Sequence, residues 1–201
     1  MSTESGRRLR GARLRRGFYR RDARVVAPEL LGKLLVRGPV AARIVEVEAY
    51  CGSEDPGSHA FRGPTKRNAT MFGPPGHLYV YFTYGMHWCA NAVCGEDGEG
   101  VAVLLRAAVP MRGLDVMRER RPAAKRDLDL LRGPARLCQA FGIDGVSDGA
   151  DLVTADREVT IVDDGTPPLA AVVGTRIGLT KGADLPWRWC AADEPHVSRR
   201  P

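Results

Sequence analysis

Apolar and polar positions alternate most clearly at residues 44–50, where the chain reads Ile-Val-Glu-Val-Glu-Ala-Tyr. β-Branched residues that recur at a period of two predict a strand. In a regular strand one face would carry Ile44, Glu46, Glu48 and Tyr50, and the other face would carry small apolar residues. A buried carboxylate is costly unless it is paired or used in chemistry. This strand is therefore the first candidate for a functional site.

Hydrophobic patterning also places the other elements. Residues 25–37 predict a short helix followed by a strand, with Gly32 between them. Short strands are further expected over 78–84, 101–107, 159–162 and 175–179. Helices are expected over 114–121 and 134–141, where Pro and Gly mark the ends.

Two stretches between these elements are rich in turn-forming residues. Residues 95–100, Gly-Glu-Asp-Gly-Glu-Gly, predict a turn between two strands. Residues 51–76 are rich in Gly, Pro, Ser and Asn and predict a long loop of the kind that is usually functional. Strands grouped together with helices at the sides indicate an α+β fold. We expect a single domain built on a mainly antiparallel, curved sheet with flanking helices and a protruding β-hairpin.

The second candidate for chemistry is the aromatic segment at 78–91. Alternation puts Tyr79, Tyr81 and Thr83 on one strand face, and Gly85 permits a tight turn. Exposed apolar residues at a hairpin tip can enter a base stack, and this tip would carry Tyr84, Met86 and His87. The alternative is an aromatic cross-strand ladder packed in the core. Three polar residues lie close in sequence to these strands: His59, Asn91 and Arg106.

Length and composition are those of one soluble globular domain, with 201 residues, 44% hydrophobic and 27% charged. No run approaches the roughly 20 apolar residues of a membrane span, and the charged start is unlike a secretory signal. The five cysteines are an odd number without a CxxC pair, which indicates reduced thiols and gives a zinc site little support. We therefore expect an intracellular protein that is not secreted, binds no membrane, and needs no metal and no cofactor.

Positive charge is concentrated at the N-terminus. Residues 1–24 hold nine arginines against Glu4 and Asp22, a net charge of +7, whereas the whole chain carries +6. The pattern predicts a flexible basic arm at 1–18 and a domain at 19–201. Such arms gain affinity for nucleic acid by neutralising phosphates. A solubilising tail and an organellar presequence are the alternatives.

Several motifs occur in a specific order along the chain: Glu46-Val-Glu-Ala-Tyr50, His59, Thr65-Lys-Arg-Asn68, Met71-Phe72, Gly76-His-Leu-Tyr-Val-Tyr-Phe-Thr-Tyr-Gly-Met86, Asn91 and Val103-Leu-Leu-Arg106. The ordered set resembles the alkyladenine (3-methyladenine) DNA glycosylase family of the mammalian type. Gly133-Pro-Ala-Arg-Leu-Cys-Gln-Ala-Phe-Gly-Ile143 and Thr175-Arg-Ile-Gly178 extend the resemblance to most of the chain.

The resemblance implies a role for each matching residue. Glu48 matches the general base that activates a water for attack on C1′ of the deoxyribose, and Arg106 matches the residue that helps to hold this water. Tyr50, His59 and Tyr81 match the walls that sandwich a flipped purine. Asn91 matches the gate that disfavours the exocyclic amino group of guanine.

The resemblance also implies how DNA is held. Tyr84 matches the side chain that enters the minor groove, and Met86 and His87 would flank it. Phosphate contacts would come from Thr65, Lys66 and Arg67. The partner is double-stranded DNA that contains damaged purines, and we expect a monomer that, in a bacterium, is cytoplasmic and associated with the nucleoid.

The implied reaction is monofunctional excision of 3-methyladenine, 7-methylguanine, hypoxanthine and ethenoadenine, the first step of base excision repair. Two other functions stay open on the sequence, a lesion-binding module without catalysis and a hydrolase for free nucleosides. Glu46 lies on the predicted face of Glu48 and is the alternative base. Two carboxylates facing one pocket would raise each other's pKa.

Overall fold

Ten antiparallel strands form one curled sheet in the computed structural model, which describes residues 11–200. The strands are β1 Ala12–Arg13, β2 Leu34–Arg37, β3 Val40–Cys51, β4 His77–Thr83, β5 His87–Cys94, β6 Val101–Arg112, β7 Ala150–Asp151, β8 Val159–Asp163, β9 Ala171–Gly174 and β10 Arg188–Ala191. Eight of them follow the order β1-β8-β2-β3-β6-β5-β4-β7, while β10 pairs with β3 and β9. The expected α+β class, with its curved antiparallel sheet and single domain, is confirmed.

Among the described residues, four helices flank the sheet: α1 Arg16–Tyr19, α2 Ala23–Leu30, α3 Leu114–Arg120 and α4 Pro134–Phe141. The longest of them have eight residues, far fewer than the roughly 20 that span a bilayer, so the described residues contain no transmembrane helix. Pro134 at the first position and left-handed Gly142 at the end fix the limits of α4. Helices α2 and α4 bury their apolar faces against the sheet and form the main core.

The face of the sheet opposite the main core carries the polar chemistry. Its central strand, β3, pairs along its length with β6, near its start with β2 and near its end with β10. The segment between β3 and β4 covers part of this face, as expected for a long loop, and contains two short 3-10 turns. A small hydrophobic cluster at this loop includes Met71, Tyr79 and Val93. The sheet therefore separates a stabilising apolar core from a site on its other face.

The predicted side-chain alternation along 44–50 is wrong at its start. The ladder of β3 with β6 shifts between Ile44 and Glu46 and shifts back between Glu46 and Val47. Ile44 consequently points into the main core together with Val47, whereas Val45 packs in a separate small cluster. β-Bulges of this kind change which face a side chain occupies. The expected shared face is reduced to Glu46, Glu48 and Tyr50.

Residues 11–18, which the charge pattern placed in a flexible arm, pack against the domain. Strand β1 pairs with β8, and Leu14 is only 6% exposed. Arg16 donates to Asp151 at 2.6 Å in an ion pair. The predicted boundary at residue 18 is thus too late, and residues 1–10 of the arm lie outside the described residues.

Most predicted elements are confirmed to within five residues at each end, with two clear differences. Residues 175–179 form an irregular segment, and the nearby strand is β9, which ends at Gly174. No strand was expected after residue 179, whereas Arg188–Ala191 form β10. As a result, the irregular segment brings the Ile177 amide to Glu48, and β10 brings Arg188 to Glu46.

Replacing Leu14 with Ala should reduce the free energy of unfolding by about 2–3 kcal/mol, because the side chain is buried against the domain. Urea unfolding followed by circular dichroism measures the change. Val146→Ala is the control, since Val146 is 78% exposed and its truncation should cost less than about 0.5 kcal/mol. Equal effects of the two substitutions would show that residues 11–18 do not contribute to the domain.

Candidate active site

Arg106 connects the two glutamates of β3. In the pairing of β6 with β3, Ala107 and Leu105 each have a partner on β3, whereas Arg106 between them has none. At this bulge the Arg106 side chain turns to the polar face. Its Nε donates to Glu46 Oε1 at 2.9 Å, and its Nη1 donates to Glu48 Oε2 at 3.1 Å. The Arg106 side chain is 7% exposed and both glutamates are fully buried. Charges this deeply buried persist only when they are paired, and here one guanidinium serves two carboxylates.

Glu48 accepts hydrogen bonds at both carboxylate oxygens. The Ile177 amide donates to Oε1 at 2.8 Å, and the Tyr50 hydroxyl donates to Oε2 at 3.0 Å beside the bond from Arg106. Burial raises the pKa of Glu48, although Arg106 and these two donors oppose the shift. Oε2 thus has two donors and Oε1 has one. Since each oxygen has about two acceptor positions, Oε1 retains one.

Glu46 is engaged on the side away from any cleft. Besides Arg106, it accepts from Arg188 Nη1 at 3.3 Å, from Ser198 Oγ at 2.9 Å and from the Ser198 amide. These partners come from β10 and from the segment that follows it. Glu48, in contrast, bonds to Tyr50, which lines the cleft described next. The two glutamates, which alternation placed on one strand face, thus differ in their partners: only Glu48 bonds to a residue that lines the cleft.

An aromatic cleft opens next to Glu48 on the same face of the sheet. It encloses about 330 Å³ including its open mouth and is lined by Tyr50, Gly57, His59, Met71, Tyr79, Tyr81, Asn91 and Leu179. The rings of His59 and Tyr81 meet edge to face, with centroids 4.5 Å apart. Tyr79 lies beside Tyr81 at 5.5 Å. Four residues predicted for a base pocket are therefore together: Tyr50, His59, Tyr81 and Asn91.

Hydrogen bonds hold the polar groups of this cleft. His59 Nδ1 lies 3.1 Å from the Tyr79 hydroxyl, and the Asn91 amide nitrogen donates to the Tyr79 carbonyl at 3.1 Å. Burial lowers the pKa of His59, and the nearby charge of Arg67 lowers it further. The imidazole is accordingly neutral at pH 7, so the cleft offers no cation at this position to repel a positively charged ligand.

Tyr50 is supported from behind by a stack that the sequence did not indicate. The Arg176 guanidinium lies 4.8 Å from the Tyr50 ring centroid and 5.1 Å from the ring of Trp187. It pairs with Asp55, and both side chains are fully buried. Arg176 Nη1 also donates to the Ala49 carbonyl at 3.0 Å. This pair ties the loop after β3 to the segment after β9 and fixes one wall of the cleft.

The hairpin between β4 and β5 projects from the sheet, as predicted. Thr83 pairs with His87, so residues 84–86 form its tip. Tyr84 is 79% exposed and Met86 is 68% exposed. Tyr84 also has a positive φ of 51°, which is uncommon for a residue with a side chain. The alternative of a buried aromatic ladder applies to Tyr79 but not to Tyr84.

The predicted phosphate-contacting residues lie on the loop that borders the cleft. Thr65, Lys66 and Arg67 are exposed. Arg67 Nη2 donates to the Phe82 carbonyl at 2.9 Å, and its guanidinium lies 5.8 Å from the Tyr81 ring centroid. The loop therefore places positive charge at the mouth of the cleft and next to the hairpin.

Some residues of the site were missed by reading the sequence. Tyr79 shares the strand face of Tyr81, and this alternation was a usable signal. No such signal marked the buried side chains of Asp55, Arg176 and Arg188 or the partly buried Ser198, because each of their contacts joins segments far apart in the chain. Within residues 11–200 no group of three or more His, Cys, Asp or Glu side chains could hold a metal ion. All five cysteines are buried and unpaired.

The arrangement can be compared with known proteins. A family model described as "Methylpurine-DNA glycosylase (MPG)" matches residues 17–195. A protein of Burkholderia lata, named "Putative 3-methyladenine DNA glycosylase", is 58% identical over 190 residues, which cover 94% of this chain and 92% of the relative. A protein of Streptomyces avermitilis with the same name is 47% identical over 92% of this chain and 90% of the relative.

The family model covers most of the sequence, and the relatives match along nearly their full lengths. The chain therefore belongs to the methylpurine-DNA glycosylase family. The resemblance drawn from the ordered motifs is confirmed, and the protein is a DNA glycosylase.

Asp55→Asn should lower the free energy of unfolding by about 3–5 kcal/mol, because it leaves the Arg176 guanidinium buried without a counter-charge. Urea unfolding measures this loss. Glu54→Gln is the neighbouring control, since the Glu54 side chain is 72% exposed and its replacement should change stability by less than about 0.5 kcal/mol. If both variants unfold at the same urea concentration, the Asp55–Arg176 pair does not stabilise the loop.

Proposed function

We propose that this enzyme excises alkylated and deaminated purines from duplex DNA by flipping the base and directing a water to the N-glycosidic bond. The expected substrates are 3-methyladenine, 7-methylguanine, hypoxanthine and ethenoadenine. The observation that carries the proposal is the contact of a buried, Arg106-paired Glu48 with Tyr50, a wall of the aromatic cleft. The Glu48 carboxylate is thus separated from the cleft by one side chain, that of Tyr50.

Flipping requires that the duplex be held open. Unstacking and unpairing a base costs a few kcal/mol, and a side chain inserted in its place offsets part of this cost. Tyr84, at the exposed tip of the hairpin, is the proposed wedge, with Met86 and His87 beside it. Thr65, Lys66 and Arg67 would hold the phosphates of the same DNA next to the cleft mouth.

Recognition would rest on stacking and charge. A purine between Tyr50 and the His59–Tyr81 pair gains stacking energy of about 1–3 kcal/mol. A purine alkylated at N3 or N7 is cationic and gains further attraction from electron-rich rings. The neutral state of His59 avoids repelling such a base. Asn91, which projects into the cleft, is the proposed barrier to the exocyclic amino group of guanine.

The chemical step would use Glu48 as the general base. Its Oε1 takes a proton from water, the water oxygen bonds to C1′, and the electrons of the C1′–N bond leave with the purine. The ionised carboxylate also stabilises positive charge that develops on the sugar. Arg106 keeps the carboxylate oriented and favours its ionised form. Because Tyr50 separates Glu48 from the cleft, a shift of this side chain on base entry would admit the water.

A covalent lyase step is not part of this proposal. Such a step needs an amine nucleophile at the reacting carbon. Within the described part of the chain no lysine lines the cleft, and Lys66 is exposed on the bordering loop. The product would therefore be an abasic site in an intact strand, and the enzyme would act as a monomer on DNA.

Glu48→Gln should lower the single-turnover excision rate by about 100-fold or more while binding of lesion duplex survives, because the amide cannot accept the proton. The assay incubates duplexes carrying hypoxanthine, 7-methylguanine or ethenoadenine and cleaves abasic sites with alkali. Glu54→Gln is the control and should act like the wild type.

Two outcomes of this assay would change the assignment. Retained turnover in Glu48→Gln would move the base to Glu46 first. A wild-type protein that binds the lesion duplexes tightly but forms no abasic site would be a recognition module, and one that cleaves only free nucleosides would be a nucleoside hydrolase.

Tyr84→Ala should weaken binding to lesion duplex and slow its excision, with little effect on the same lesion in a single strand, which needs no wedge. Fluorescence anisotropy and the alkali assay on both substrates measure the difference. Val146→Ala serves as the exposed apolar control. Equal losses on duplex and single strand would remove the wedge role from Tyr84.

A further inference from the structure

Ser198 reaches the buried charges from the segment that follows β10. Its hydroxyl donates to Glu46 Oε1 at 2.9 Å and accepts from Arg106 Nη2 at 3.3 Å, and its amide donates to Glu46 Oε2. A hydroxyl can donate and accept at once. Ser198, Glu46 and Arg106 therefore close a ring of hydrogen bonds on the side of Arg106 away from the cleft.

This ring bears on the orientation of Glu48. The guanidinium is planar, and its five N–H groups have fixed directions. Nε is bound to Glu46 and Nη2 to Ser198, so the direction of Nη1 toward Glu48 Oε2 is fixed as well. Without the Ser198 contact, the guanidinium could tilt about the hydrogen bond from its Nε to Glu46 and move Nη1 away from Glu48.

The segment that carries Ser198 is anchored independently of its hydroxyl. Val197 is only 3% exposed and packs with Val45 and Ala107. Arg188 Nη1 donates to the carbonyl of Arg199 at 2.8 Å. Removal of the hydroxyl alone should consequently leave the segment in place and affect mainly the ring.

We propose that Ser198 is a positioning residue for excision, which holds the Arg106 guanidinium in the orientation that aims it at Glu48. The inference rests on the proposed function of Glu48 and Arg106. The site would then include a contribution from the segment after the last strand, although Ser198 itself touches neither the cleft nor the base.

The pH dependence of excision should report this role. Charged and titratable groups that act on Glu48 come from every element around it: Glu46, Tyr50, Tyr81, Cys89, Arg106, Arg176 and Cys190. Arg106 is the strongest of the influences that lower the pKa of Glu48. If the Arg106 guanidinium is no longer aimed at Glu48, its charge lowers the pKa of Glu48 less. The pH at which the base becomes ionised, and with it the acid limb of the rate profile, should therefore move upward.

The test compares Ser198→Ala with four other variants under single-turnover conditions, with enzyme in excess over a duplex that carries one 7-methylguanine. Ser198→Ala should reduce the rate constant roughly tenfold or more at neutral pH, leave duplex affinity unchanged and shift the acid limb upward. Ser198→Thr keeps the hydroxyl and should restore both properties. Ser198→Cys keeps the volume with a weak donor and should fall between them.

Ser147→Ala is the matched control. Ser147 is a buried serine, 2% exposed, whereas Ser198 is partly exposed, and the Ser147 hydroxyl has no hydrogen-bond partner within residues 11–200. Its loss should leave the rate and its pH profile unchanged. Thermal unfolding of each variant reports whether the fold is retained, and Ser198→Cys and Ser198→Thr carry the comparison if Ser198→Ala is unstable.

Glu48→Gln in the same assay distinguishes a failure of the proposed base role of Glu48 from a failure of the positioning role of Ser198. If it retains turnover, the proposed function of Glu48 fails whatever Ser198 does. If it is inactive while Ser198→Ala matches Ser147→Ala in rate and pH profile, the positioning role is overturned. A loss of duplex affinity without a change in the rate constant, or a failure of Ser198→Thr to recover, would also overturn it.

Discussion

The burial of two carboxylates on one strand is the constraint on which this site depends. Glu46 and Glu48 are fully buried, two residues apart, and each would be costly alone. Arg106 pairs with both, and Arg188 adds a second positive charge at Glu46. Replacing such a set by apolar residues is often neutral or stabilising, so its presence is weak evidence for stability. We propose that this set of charges supports Glu48 as the reactive carboxylate.

The backbone makes this pairing possible through two compensating irregularities. One shifts the register on β3 before Glu46, and the other skips Arg106 on β6. A regular ladder would have kept Ile44 on the face of the carboxylates and would have aimed Arg106 according to strict alternation. Bulges concentrate near active sites because they re-aim single side chains without disrupting the sheet. Here they leave the apolar core on one face and gather the charges on the other.

Local pattern was enough to predict much of this architecture. Period-two alternation identified β3 and β4, an apolar run identified β6, and the Gly and Pro residues around 134–141 marked α4. The face of Tyr79 and Tyr81 and the exposed tip at Tyr84 also followed from alternation and one glycine. These features depend on neighbours within a few residues, which is the range over which propensity and periodicity carry information.

The remaining parts of the site depend on contacts between distant segments. Asp55 pairs with Arg176 across 121 residues, and Glu46 accepts from Ser198 across 152. No local pattern encodes such a partner, and the segment around Arg176 even imitates a strand. The bulge at Val45 was equally hidden, because it depends on the strand opposite. The ordered motifs supplied roles for Glu48 and Arg106 but not the residues that support them.

The pairing of β3 with β10 has a consequence for biosynthesis. The central strand is made early, whereas Arg188 and Ser198 follow Glu46 by 142 and 152 residues. While these residues are still inside the ribosome, Glu46 lacks them as partners, and the nascent sheet holds an incompletely neutralised pair of acids. The hydrogen bonds around Glu46 are therefore completed only after this later segment has left the ribosome.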